Sequence, residues 1–128
     1  MNDQTIEQEI QDKGLTAPRI TPANIEANIT SEHYFTAADG VAGAFTNAQI
    51  AQGRGVYPDE IGRPKTDLSL LTFCVLVLRN GFTITGESAC ASPENFDAEI
   101  GRKIARENAV TKVWPLMGYE LRSKLAAA

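Results

Sequence analysis

The sequence predicts an α+β fold: an antiparallel β-hairpin packed by a following long α-helix, with N-terminal helices and a long central loop. Three observations carry this. The run from Leu68 to Leu78 is dense in Leu, Val and Phe, and Phe82-Thr83-Ile84-Thr85-Gly86-Glu87 alternates, as strands do. Asn80-Gly81 between them favours the φ > 0 turn of a two-residue hairpin. Ser92-Pro93-Glu94 then reads as a helix start, with Ser as cap, Pro at the first helical position and an acid in the first turn.

The hairpin is expected over residues 69–91 and the helix over 93–113. A two-residue turn would set Val77 against Ile84, Val75 against Gly86, Phe73 against Ser88 and Leu71 against Cys90, so that this face joins the core. The other face would pair Leu78 with Thr83, Leu76 with Thr85 and Cys74 with Glu87, apolar on one strand only. That face needs a cover, from the N-terminal helices or a second subunit. Cys74 and Cys90 then fall on opposite faces, which argues against a disulfide. The helix face Phe96, Ile100, Ile104, Ala105 and Val113 is expected on the hairpin. Pro115 should end or kink the helix, with Trp114, Met117, Leu121 and Leu125 continuing at helical spacing.

Upstream, Thr5 to Ile10 has helical spacing before Gly14, predicting a helix over about residues 2–13. Thr21-Pro22 caps a second, over 22–32, with Ile25 and Ile29 on one face. His33-Tyr34-Phe35-Thr36 fits a short strand or a helix end. Residues 37–67, rich in Gly, Ala, Gln and Pro, read as a long loop with one helical turn near 41–51. The chain thus divides into residues 1–67, helices and loop, and 68–128, the hairpin-helix core, within one domain overall; 128 residues suit one fold.

Composition excludes several classes. Hydrophobic residues make up 43% and charged residues 22%, ordinary globular values. The longest apolar run is far short of the ~20 residues a membrane span needs. The polar, acidic start is unlike a secretion signal, so a cytoplasmic location is expected, with both thiols reduced. Net charge is −4, with ten acids and five bases before residue 68 and six and seven from there on. A duplex-binding module would carry a basic patch, and this chain has none of that balance. A small anionic ligand needs only a few Arg.

Few residues suggest catalysis or metal binding. His33 is the sole histidine, nothing marks a nucleophile with its base, and His33, Cys74 and Cys90 lack zinc spacing. No enzyme activity, cofactor or metal is expected. Gly53-Arg54-Gly55 lacks the rest of any phosphate-loop motif. The helix offers more, because Arg102 and Arg106 project from one side, with Asn95 and Asp97 at its start. Either Glu99 and Glu107 neutralise the two arginines on a solvated face, or both guanidinium forks converge on a phosphate or carboxylate. Asn95 and Asp97 either bond the free backbone N–H groups or read ribose or a base edge. Phe82 is either a core aromatic or a stacking platform. Asn108, on the apolar side, is expected to be a buried amide bonded to the hairpin backbone or a neighbouring subunit.

The stretch Leu71-Thr-Phe-Cys-Val-Leu-Val-Leu-Arg-Asn-Gly-Phe-Thr-Ile-Thr-Gly-Glu-Ser-Ala-Cys-Ala-Ser-Pro-Glu-Asn-Phe-Asp-Ala-Glu-Ile-Gly-Arg-Lys-Ile-Ala-Arg-Glu-Asn-Ala, continuing to Trp114-Pro-Leu-Met-Gly-Tyr119, resembles the small tailed-phage family known as gp forty-nine / gene sixty-six. The resemblance covers roughly residues 68–125, with His33-Tyr34-Phe35-Thr36 a further likeness, and that family has no settled enzymatic activity. More distantly, the chain is similar to the first family of Thoeris anti-defence proteins, which oligomerise and sequester the nucleotide signal of bacterial immunity. That resemblance implies a homo-oligomeric sponge for a cyclic ADP-ribose or related cyclic nucleotide in the host bacterial cytoplasm. Phe82 would stack on adenine, Asn95 and Asp97 would bind ribose or base, and Arg102 and Arg106 would take phosphates. The alternative is a homo-oligomeric phage protein with no small ligand, contacting a host protein through the 37–67 loop.

Overall fold

A computed structural model describes residues 2–53 and 66–128. Its helices are α1 (Asp3–Asp12), α2 (Pro22–Asn28), α3 (Ala37–Ala51), α4 (Thr66–Ser69) and α5 (Ala98–Ala127); its strands are β1 (Ile29–Thr36), β2 (Leu71–Leu78) and β3 (Thr83–Ala89). The strands form one antiparallel sheet in the order β1-β2-β3, covered on one face by α5. The α+β class and the sheet-plus-long-helix core are as the sequence predicts.

Each N-terminal element has a local cause. Asn2 caps α1 by accepting from the Thr5 N–H. Thr21 and Asn24 make a reciprocal capping box on α2, with Pro22 in the first turn. The expected second helix stops at Asn28 rather than 32, because Ile29 enters the extended region and begins a strand. From there the run Ile29–Thr36, rich in β-branched and aromatic residues, pairs with β2. Of the two readings of His33 to Thr36, the strand is correct. The expected loop from residue 37 is a fifteen-residue helix at its start, opened by a second capping box between Thr36 and Asp39. Alanines at 37, 38, 42, 44, 48 and 51 supply its propensity, which outweighs the two glycines. The Gly53-Arg54-Gly55 segment and Tyr57-Pro58-Asp59 lie largely outside the described residues.

The hairpin register is one residue off the expected one, and that exchanges the faces. Leu76 pairs with Ile84, Cys74 with Gly86 and Val77 with Thr83. The tip is a three-residue connection: Gly81 N–H donates to the Leu78 carbonyl, and Leu78 N–H to that of Phe82. Gly81 has φ +86°, and the Asn80 side chain accepts from the Phe82 N–H at 2.9 Å. This is the turn-plus-glycine-bulge solution rather than the two-residue turn. Thr72, Cys74, Leu76 and Leu78 therefore point inward with Ile84 and Gly86, while Leu71, Phe73, Val75 and Val77 face outward, half-buried. The cover that Leu76 and Leu78 need is α5 itself, with Ile25 of α2 closing the edge. Cys74 and Cys90 are both free thiols.

The face of α5 that meets the sheet keeps Ala105 and Val113 as expected but not Ile100 and Ile104. Gly101, Ala105, Ala109 and Val113 are buried, whereas Ile100 and Ile104 are exposed. Small residues allow close approach. A Cβ on Gly86 would stand 2.1 Å from the Ala105 carbonyl oxygen and 2.3 Å from Ala109 N, so β3 and α5 touch backbone to backbone there. Ser92 does not cap α5. Pro93–Asn95 form a separate 3-10 turn, and the cap is Asp97, accepting from the Ile100 N–H at 3.0 Å. Pro115 neither ends nor interrupts the helix, which runs thirty residues, roughly 45 Å at the usual rise. Asn108 is exposed rather than buried, and its amide donates to the Glu87 carbonyl at 2.7 Å, the hairpin-backbone partner expected of it. No described helix is long and apolar enough to cross a membrane.

Candidate functional site

The start of α5 meets the ends of β1, β2 and β3, and the candidate ligand-binding residues separate there into two groups. Asn95 and Asp97 line a hollow of about 280 Å³ with Leu70, Cys90, Ile100 and Ile104 around it. Arg102 lines an adjoining hollow of about 120 Å³ with Tyr34, Phe35, Thr36, Asp39 and Thr72. Phe96 belongs to both walls. Asp97 owes its position to capping, so one carboxylate oxygen is already occupied by a backbone N–H. Among the described residues Arg102 makes no ion pair, since Glu99 is taken by Lys103. Phe35, which borders the hollow, stacks on Phe73 of the outward sheet face, ring centroids 5.5 Å apart, and is itself exposed.

Arg106 and Phe82 stand apart from this group. Arg106 bridges two elements: Nε donates to Glu32 on β1 at 2.8 Å, while Nη1 and Nη2 take both oxygens of Glu26 on α2, at 3.1 and 2.7 Å. Donating to Glu26 foremost, and also to Glu32, raises its pKa further above the ordinary arginine value. Neither Glu99 nor Glu107 neutralises it. Phe82 sits exposed at the hairpin tip, at the opposite end of the sheet from Asn95. In a single chain, Asn95, Asp97 and Arg102 cluster at one end, and Phe82 cannot reach them.

Sequence reasoning missed Glu26, Glu32 and Phe96 as site residues. Helical spacing finds only acids on α5 itself, whereas Glu32 meets Arg106 through strand pairing. Tyr34 lies beside Cys74 and Glu32; burial foremost, then the neighbouring Cys74 and Glu32 charges, push its hydroxyl up to about 12. The same burial raises the Cys74 thiol. His33 Nε2 lies 3.1 Å from Ser31 Oγ on the exposed strand, with no further hydrogen bond to orient the ring among the described residues. Among those residues no group of three His, Cys, Asp or Glu could hold a metal ion.

The architecture is that of a small sheet-and-helix protein with a polar and aromatic hollow at the helix start. It belongs to the phage protein (N4 Gp49/phage Sf6 gene 66) family, whose model matches residues 20–125. The match reaches well upstream of the 68–125 stretch that carries the resemblance in the sequence, taking in α2, β1 and α3. No curated protein and no solved structure matches the chain.

Proposed function

We propose that this phage-family protein is a non-enzymatic accessory protein that sequesters a small anionic nucleotide, of the cyclic ADP-ribose or cyclic nucleotide class, in the host bacterial cytoplasm as a counter-defence sponge. The observation that carries it is Arg102, a guanidinium without a carboxylate partner among the described residues, set beside Phe96, Phe35 and the Asn95-Asp97 turn. A free fork next to an aromatic face and two amide or carboxylate groups is the chemistry that phosphate, base and ribose each require. The two hollows are small against the ~300–1,000 Å³ of ordinary ligand pockets. A nucleotide held there would need a second copy of the chain to close over it. Such an assembly is also the route by which a distant Phe82 could join the site.

The expected result is that purified protein melts at a higher temperature with cyclic ADP-ribose isomers or cyclic nucleotides, and that the nucleotide recovered after denaturation is unaltered. Arg102→Ala should remove the stabilisation without lowering the melting temperature of the free protein. No stabilisation across the panel, at concentrations far above micromolar, would overturn the sponge. It would leave the second reading, a homo-oligomeric interaction protein, which the outward-facing Leu71, Phe73, Val75 and Val77 favour. A monomer by sedimentation would count against both.

A further inference from the structure

The first nineteen residues precede the family match, and they are built differently from the rest. None of the residues of α1 is buried, and Ile6 and Leu15 are exposed. After the helix comes Gly14, which has φ +66° and nothing within 4 Å of the place a Cβ would occupy, and every residue from Gln11 to Pro18 is exposed. A glycine in that conformation followed by an uncovered connector is a hinge in the making. Two polar contacts hold the segment down. Glu7 pairs bidentately with Arg19, with Nη2 to Oε2 at 2.8 Å, which closes α1 back onto its own connector. Asp3 accepts from the indole N–H of Trp114 on α5 at 3.1 Å.

The segment nonetheless covers something. Asn2, Asp3 and Gln4 form one wall of a cleft of about 390 Å³ whose other wall is Glu26, Arg106, Glu107, Val110 and Thr111. Trp114 and Val110 belong to the apolar fringe of the core. We propose that residues 2–19 are a strap that opens about Gly14 as a local unit while sheet and α5 stay folded, uncovering Trp114 and the Arg106 cleft. An element with no buried apolar anchor opens at a small fraction of the global unfolding free energy, which is the condition for such a gate. Opening about Gly14 parts both contacts, because Glu7 lies on α1 and Arg19 on the far side of that glycine, so both must be removed to favour the open form.

Trp114 is the single tryptophan of the chain, so the strap reports on itself. In the full-length protein, native-state hydrogen exchange should show the α1 amides exchanging far faster than those of β2 and α5, with no change in the latter. Asp3→Ala combined with Glu7→Ala should shift Trp114 emission to the red and raise its acrylamide quenching towards that of the unfolded chain, with the thermal midpoint of the core unchanged. Exchange of α1 at the same rate as the core would overturn the proposal. So would unchanged Trp114 emission in the double variant, or a loss of emission and core midpoint together, because each would make α1 an integral part of the fold.

Discussion

Replacing Gly86 by alanine is the sharpest test of how the sheet and α5 are joined. The added Cβ would lie 2.1 Å from the Ala105 oxygen, 2.3 Å from Ala109 N and 2.8 Å from Ala109 Cα, and ordinary contact begins near 3.4 Å. All three neighbours are backbone, so no rotamer change relieves the clash, and α5 must retreat by about 1 Å along the contact. That retreat opens the packing of Cys74, Leu76, Ala105, Ala109 and Val113, each fully inaccessible in the intact protein. Overpacking alone costs about 1–3 kcal/mol, and the loosened core adds to it, so about 3 kcal/mol is expected. For a domain of this size that is a fall of roughly 10–15 °C in thermal midpoint, measured by circular dichroism or calorimetry. Gly118→Ala is the internal control. It is the same substitution on the exposed continuation of α5, with nothing within 4 Å, and it should stabilise by about 0.5–1 kcal/mol. A Gly86→Ala protein melting within a degree or two of the parent would refute the backbone-to-backbone contact.

Two further outcomes concern the edge of the sheet. Arg106→Ala should cost about 1 kcal/mol, because its partners Glu26 and Glu32 are substantially exposed, and the cost should shrink in high salt; Arg106→Lys should recover only part, since one ammonium cannot hold both carboxylates as the fork does. Tyr34 favours its neutral form in the folded state, so its contribution is fully present below the ordinary tyrosine value of 10 and is lost as pH rises from there towards about 12. Urea midpoints measured across that range should fall, and Tyr34→Phe should remove the tyrosine's share of the fall; an identical pH profile in the variant would assign it elsewhere.

The hairpin is legible because it rests on local signals, a dense apolar run and Asn80-Gly81, whereas Ser92-Pro93 marks a 3-10 turn and sets the helix start too early, since Asp97 caps α5. What escaped is what depends on the partner. Asn80-Gly81 suits both a two-residue turn and a three-residue turn with a glycine bulge, and the difference of one residue decides whether Val75 or Leu76 is interior. The buried face of α5 was obscured because its key contacts are glycine and alanine, which a hydrophobic pattern undervalues, whereas Ile100 and Ile104 draw attention and stay outside. β1 and the Glu32 partner of Arg106 come from pairing between segments far apart in the chain. Asn95, Asp97 and Arg102 were nameable from helix position alone, but Phe96 and Tyr34 join them only through the packed sheet end.

The covering of the sheet by a helix that follows it in the chain also sets an order of events during synthesis. All three strands leave the ribosome before Gly101, Ala105, Ala109 and Val113 exist to meet them. Until then Cys74, Leu76, Leu78 and Ile84 form an apolar surface with no lid, the condition under which nascent β-structure associates wrongly. A chain stopped before α5 should be insoluble even though its sheet sequence is intact. The long helix is thus the step that makes the earlier strands safe.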